Sequence, residues 1–293
     1  MKKILLRLFF LGLVLFSLYA SYRFYEKHQE DKRRATFYEN LVDTSSPTVT
    51  VLRDSMLIGY QNEKRTIHIY VPPNYEKDSL TRYPVIYFLD GRSSFNDLEC
   101  NGPEWQIDEV INAAAANGEQ TAIVIGINNA VDRDAEYTPF VNEDNPNAHG
   151  DKFSEWLTSD LKNWVDANYR TKRAATATSI GGISRSGMMA YYMLMAHPDV
   201  IGNAIIQSPA MWVDYDRLLA MNLSKEQLKD KKIFVSVGSR EGGMIPQAEA
   251  IFEKFKAQGM DENALRFELL PNGGHWNMTW RASFALCYPW LME

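Results

Sequence analysis

A mostly parallel central β-sheet with helices on both faces is the α/β fold that this sequence predicts, and three observations lead there. Short apolar runs, of the kind found in strands buried on both faces, recur at Val85–Leu89, Thr121–Ile127, Ala175–Ile183, Ile201–Gln207, Ile233–Val237 and Leu265–Leu270. Helix-like stretches lie between most of them, the alternation that builds a parallel sheet. Near the middle, Ala177–Ala190 reads as a strand, a sharp turn carrying Ser184, and a helix.

Taken in order, Lys2, Lys3 and Arg7 precede the apolar run Leu8–Ala20. A basic start and an apolar core are the build of an export signal, with Leu18-Tyr19-Ala20 as the best cleavage candidate, or of an uncleaved membrane anchor counted over residues 1–25. The charged stretch 26–47, ending in Thr44-Ser45-Ser46-Pro47, reads as a tether. Residues 48–58 and 65–71 alternate like antiparallel strands, and Pro72-Pro73 ends the second. The expected helices cover 104–117, 151–168, 187–196, 245–258 and 276–291. Residues 48–293 are expected to form one domain.

Composition narrows the class. The 293 residues are 45% hydrophobic and 12% aromatic, ample for a well-buried core. Net charge is −6, which argues against a nucleic-acid surface. Residues 1–34 carry eight Lys/Arg and three Asp/Glu, a local +5 ahead of an acidic body of −11. The expected body is therefore exported, periplasmic or extracellular, and tied to the membrane if the apolar segment is retained. The two cysteines, Cys100 and Cys287, suit that setting whether paired or free, and their spacing matches no zinc or redox pattern.

The turn at Ser184 is where chemistry enters. A strand-to-helix elbow lifts a serine hydroxyl above the sheet edge. Gly182 and Ser186 flank Ser184 at two residues on each side, where small residues let strand and helix pass closely; Ser186 stands where Gly-x-Ser-x-Gly has its last glycine. A serine hydroxyl becomes a nucleophile only when a base takes its proton and a third group holds the base. Of five histidines, His28 lies in the tether, His68 in an alternating strand, His197 at a helix end and His149 before a helix. His275 remains, in the glycine-rich loop Pro271-Asn272-Gly273-Gly274 after the last strand. Glu241 follows the penultimate strand; Asp214 is the rival acid but lies several residues beyond its strand. Ser184, Glu241, His275 is the chain order of the α/β-hydrolase fold. The two oxyanion donors are expected from the backbone of Arg185, next to the serine, and of Gly91 or Arg92 after Val85–Leu89.

These segments resemble a known family of esterases, which includes esterase D (S-formylglutathione hydrolase), enterochelin esterases, feruloyl and acetyl-xylan esterases and the mycolyltransferases. The matching stretches are Tyr83–Gly91, Arg133 with Glu136-Tyr137-Thr138-Pro139, the Ser184 elbow, Gln207-Ser208-Pro209 with Trp212, Gly238–Glu241, and Gly273-Gly274-His275 with Trp280. They span residues 48–290. The resemblance implies an α/β-hydrolase fold without a large lid and ester hydrolysis without cofactor or metal. It implies Ser184 as nucleophile, His275 as base and Glu241 as acid.

The expected substrate is an extracytoplasmic small-molecule or carbohydrate ester: an acylated sugar, a feruloyl-type ester or a siderophore. Trp212, Trp276, Trp280, Phe95 and Tyr137 either line an aromatic cleft or belong to the core. Arg92, Arg133 and Arg185 either attract an acidic substrate or pair with neighbours such as Asp90 and Glu136. An acyltransferase would use the same three side chains with an alcohol in place of water. A tethered binding module without catalysis is the remaining alternative.

Overall fold

The computed structural model describes residues 2–293 and divides the chain into two units, one ending at Asp43 and the other Thr44–Glu293. The first unit holds helix α1 (Lys2–Glu39), on which Phe9, Phe16 and Phe24 are exposed. Among the described residues no helix is long and apolar enough to cross a membrane. The signal-or-anchor reading of residues 1–25 includes Met1 and the side chains of residues 2–6 and 8, which lie outside the described residues.

The tether reading of 26–47 is corrected in two places. Helix α1 continues to Glu39, because no glycine or proline interrupts residues 13–46 and Tyr22 donates to Glu26 one turn on, at 2.7 Å. Thr44 and Ser46 belong to the second unit and are bonded within it. Thr44 Oγ1 accepts from Asp97 N at 2.9 Å, Ser46 N donates to Asp108 Oδ2 at 2.7 Å, and Asn112 Nδ2 donates to Ser46 Oγ at 2.7 Å.

The second unit is built on one eight-stranded sheet: β1 (Val49–Ile58), β2 (Glu63–Tyr70), β3 (Val85–Leu89), β4 (Ile123–Ile127), β5 (Thr178–Ile183), β6 (Asn203–Gln207), β7 (Lys232–Gly238) and β8 (Leu265–Leu270). Their spatial order is β1-β2-β4-β3-β5-β6-β7-β8. The β1–β2 and β2–β4 pairs are antiparallel; every other pair is parallel. The strand expected from Ala175 begins only at Thr178, because Ala175–Ala177 forms a 3-10 turn.

Alternation along the strands separates two cores. Val85, Tyr87 and Leu89 of β3 join one apolar cluster, and Ile86 and Phe88 join the other. Helix α2 (Ile107–Ala116) and the terminal helix α6 (Asn277–Met292) contribute to the second cluster. The first is covered by α3, which runs as Gly150–Trp156, a π turn over Leu157–Leu161, and Lys162–Asn168, by α4 (Arg185–Ala196) and by α5 (Met244–Ala257). The π turn coincides with Thr158 and Ser159, whose hydroxyls bond back to the carbonyls of Ser154 and Glu155, four residues earlier, at 2.7 and 2.6 Å. Helix α2 starts at Ile107 rather than 104 because Gln106 adopts a left-handed conformation with φ 55°.

Parallel strands deliver their carboxyl ends to one edge. Asp90, Ser184, Ser208, Glu241 and His275 leave or follow β3, β5, β6, β7 and β8 at that edge, beside the point where β3 has β4 on one side and β5 on the other. Ligands of open α/β sheets bind at such switch points.

Candidate active site

Ser184 sits between β5 and α4 with φ 60° and ψ −120°, a conformation that costs a non-glycine residue roughly 1–3 kcal/mol. The surroundings hold it there. Its N–H donates to Gln207 O at 3.0 Å, and its carbonyl accepts from Met188 N and Ala210 N, both at 3.0 Å. The close approach that demands glycine falls on two positions: a Cβ on Gly182 would lie 2.2 Å from Ser186 O, and one on Gly187 would lie 2.7 Å from Gln207 O. Ser186, fully buried with its Oγ 2.7–2.9 Å from Ile183 N, Ile183 O and Asp90 Oδ2, stands where a small residue was expected, and Gly187 is a further close approach that the motif did not mark.

The structure brings Ser184, His275 and Glu241 together. His275 Nε2 is 3.0 Å from Ser184 Oγ, and His275 Nδ1 is 2.6 Å from Glu241 Oε1. An ionised carboxylate can only accept, so the proton of a neutral imidazole lies on Nδ1 and Nε2 is free to accept from the serine. The second Glu241 oxygen accepts from Ser208 Oγ at 2.7 Å and from Gly238 N at 2.6 Å. Burial pushes the Glu241 carboxyl up; the bonds from His275, Ser208 and the Gly238 amide outweigh it, and the net shift is downward. The rival Asp214 pairs with Arg217 instead, at 3.3 Å. The ring nitrogens of His68, His149 and His197 bond to Asn128, to Gln61 and Asn147, and to Ser154.

The expected oxyanion donors lie at helix starts. Arg185 is the first residue of α4. Asp90, at φ 60°, leads into a 3-10 turn over Gly91–Ser93. First-turn N–H groups lack intrahelical acceptors, and at α4 the helix dipole also favours negative charge beside them. Gly91 can carry no side chain, since a Cβ would lie 2.2 Å from Gly126 C.

A cavity of ≈ 330 Å³ opens over Ser184 and His275. Trp105 and Trp280 supply apolar surface, and Arg92, Asn129 and Asn277 supply polar groups. Arg133 also lines it, but its guanidinium is held by Asp90 through Nε–Oδ1 at 2.8 Å and Nη2–Oδ2 at 2.6 Å. Arg185 pairs with Asp134 at 2.8 Å and donates to Thr138 Oγ1 at 2.8 Å.

Several expected contacts fall elsewhere. Phe95 and Tyr137 are core residues, 1% and 0% exposed, so the aromatic-cleft reading fails for both; Tyr137 instead accepts from Asp90 N at 3.2 Å. Trp212 and Trp276 are exposed and do not line this cavity. Cys100 and Cys287 are both free, and Cys287 is fully buried. Sequence reasoning gave no role to Ser208, the strut behind Glu241, although it lies in the Gln207-Ser208-Pro209 stretch directly after β6. It also missed Asn129 and Asn277, which carry no motif.

A sequence profile of the family described as "Putative esterase" matches residues 59–291. The uncharacterized protein YjcH of Bacillus subtilis (strain 168) is 27% identical over 185 residues, covering 61% of this chain and 69% of YjcH. The ferri-bacillibactin esterase BesA of the same organism is 23% identical over 274 residues, covering 76% of this chain and 91% of BesA. A solved structure of a ferulic acid esterase superposes with a TM-score of 0.62 and 17% identity, covering 83% of this chain and 96% of that one. At that identity the likeness speaks for the fold alone.

Proposed function

This chain belongs to the esterase family and is a carboxylic ester hydrolase; from that premise we propose that it works through an acyl-enzyme on Ser184. The observation that carries the proposal is the single imidazole of His275 in contact with both Ser184 Oγ and Glu241 Oε1. In the first step Ser184 Oγ bonds to the ester carbonyl carbon and its proton passes to His275 Nε2. The carbonyl electron pair moves onto oxygen, facing the N–H groups of Arg185 and of Gly91 or Arg92. Collapse breaks the carbon–alkoxy bond, and the leaving alcohol takes the proton from His275. Water repeats the sequence, giving its proton to His275 and releasing the acid and Ser184. Glu241 holds the imidazole in the required tautomer and offsets its charge.

The substrate is an ester with a ring-bearing, polar acid part, of feruloyl or siderophore type. Trp105 and Trp280 beside Arg92, Asn129 and Asn277 support that class, as do relatives named for ferri-bacillibactin and ferulic acid. Trp212 and Trp276 provide outer contacts. Trp276 adjoins His275, and Trp212 lies two residues after Ala210, whose N–H bonds Ser184 O. The body acts outside the cytoplasm, a reading supported by the basic start and the run of exposed apolar residues on α1.

A panel of acetyl, feruloyl and catecholate esters tests the substrate, and Ser184→Ala tests the nucleophile. The variant should lose turnover and fluorophosphonate labelling while keeping its fold; retained turnover removes the assignment. Fractionation of cells producing the full chain tests the location.

A further inference from the structure

We infer that Ser186 is a positioning residue that ties the nucleophile's turn to the oxyanion loop through Asp90, an inference that rests on the acyl-enzyme reading. Ser186 is fully buried in the first turn of α4. Its Oγ accepts from Ile183 N at 2.9 Å and lies 2.8 Å from Ile183 O and 2.7 Å from Asp90 Oδ2. A hydroxyl has one proton to give, and a carboxylate is the stronger acceptor, so the proton goes to Asp90.

Asp90 directly precedes Gly91. Its carboxylate is also gripped by the Arg133 fork, whose Nη2 shares Oδ2 with Ser186 and lies 3.4 Å from Ile183 O, and its N–H donates to Tyr137 Oη. Ser186 is therefore the direct link from this carboxylate to the first turn of α4, beside the longer route through Arg133 to Ile183 O. Glycine at 186 would satisfy every steric demand of the elbow, since the close approaches fall at Gly182 and Gly187. What glycine cannot supply is the hydroxyl. Without it Asp90 remains fixed to Arg133 and Tyr137 but loses its tie to α4, and the two oxyanion donors lose a common reference. Donors must stand within about 2.7–3.1 Å of the oxyanion, and a shift of about 1 Å costs up to roughly 100-fold.

The test compares wild type, Ser186→Ala, Ser186→Gly, Asp90→Asn and the Ser186→Ala/Asp90→Asn double variant, with Ser184→Ala as control. Rates on p-nitrophenyl acetate are expressed per phosphonate-titrated site, or per mole of protein for Ser184→Ala, which has no serine to titrate, alongside inhibition by an aryl trifluoromethyl ketone, which forms the tetrahedral adduct. Ser186→Ala should lower kcat and ketone affinity together, by about 10-fold, with KM within about twofold. The double variant should fall no further than Asp90→Asn alone. A merely structural role would lower melting temperature and titratable sites but leave kcat per site unchanged. Wild-type kcat per site in Ser186→Ala or Ser186→Gly overturns the inference, as does a double-variant loss equal to the product of the single losses. Ser186→Gly carries the test if Ser186→Ala does not fold. Turnover retained by Ser184→Ala overturns the acyl-enzyme reading and this inference with it.

Discussion

The indole of Trp280 stands edge-on to the imidazole of His275, with ring centroids 4.9 Å apart and 87° between the planes. Its Nε1 donates to Ser208 Oγ at 3.0 Å, and Ser208 donates to Glu241 at 2.7 Å. One side chain thus touches the proposed base directly and the proposed acid through a hydroxyl. Trp280→Phe keeps a ring edge and removes the donor, so kcat should fall about 3-fold; Trp280→Ala removes both contacts and should cost about 30-fold. Steady-state rates of the purified variants decide this. Equal losses in the two would assign the whole effect to the hydrogen bond.

Glu241 couples the site to stability in acid. Its carboxyl is held below its ordinary value of 4.5, against the upward push of burial, by the bonds from His275, Ser208 and Gly238. A lowered native value means that the unfolded chain binds the proton first. The stabilisation is present above the ordinary carboxylate range and is lost as pH falls through the native value. Thermal melts of wild type and Glu241→Gln should therefore converge as pH drops from about 6 to about 3. The same variant should lose about 1,000-fold in kcat at neutral pH, because a neutral amide neither fixes the tautomer nor offsets the imidazolium.

The acidic group on and before α2 predicts the opposite slope. Glu104, Asp108 and Glu109 place carboxylate oxygens within 4.8 Å of one another. Burial, then repulsion from Glu109, pushes the Glu104 carboxyl up to about 8; burial, then Asp108, does the same to Glu109. For raised carboxyls the stabilising contribution is complete below the ordinary value of 4.5 and is lost as pH rises through about 8. Glu104→Gln should stabilise the protein by about 1–2 kcal/mol near pH 8.5 and change it little near pH 4.5. Denaturant midpoints at the two pH values check the sign.

Arg92 is the cavity arginine placed to meet an anionic substrate group, and its removal tests charge selection. Among the described residues it makes no ion pair, whereas Arg133 is matched by Asp90 and Arg185 by Asp134. It lines both the cavity at Ser184 and the adjoining hollow beside Asn128 and Asn129. Arg92→Gln should raise KM about 5–10-fold for an ester with an anionic acid part, more at low salt, and change a neutral acetyl ester less than twofold. Equal effects on both esters would assign Arg92 to packing.

Patterning along the chain carried much of this architecture. Strands β3 and β8 run over Val85–Leu89 and Leu265–Leu270 as their apolar runs predict, because Pro84, Asp90 and Pro271 bound those runs sharply. The start of β5 was less legible, since Ala175-Thr176-Ala177 continues the strand-like composition while the backbone turns. The positions of Ser184, Glu241 and His275 were readable for a related reason. Each lies in the loop or turn that follows an apolar run, where a parallel sheet presents loops to its ligand edge.

By itself the sequence determined the fold class, the elbow serine and the chain order of the three polar side chains. Only the tertiary structure decided that Ser208 and Trp280 stand behind Glu241, that Ser186 reaches Asp90, that Arg92 alone of three arginines is unmatched, and that Phe95 and Tyr137 are core. The reason is that periodicity reports which residues of one element share a face. Hydrogen bonds between loops depend instead on which strands lie side by side, and here residues as distant as Asp90 and Ser186 meet because β3 pairs with β5.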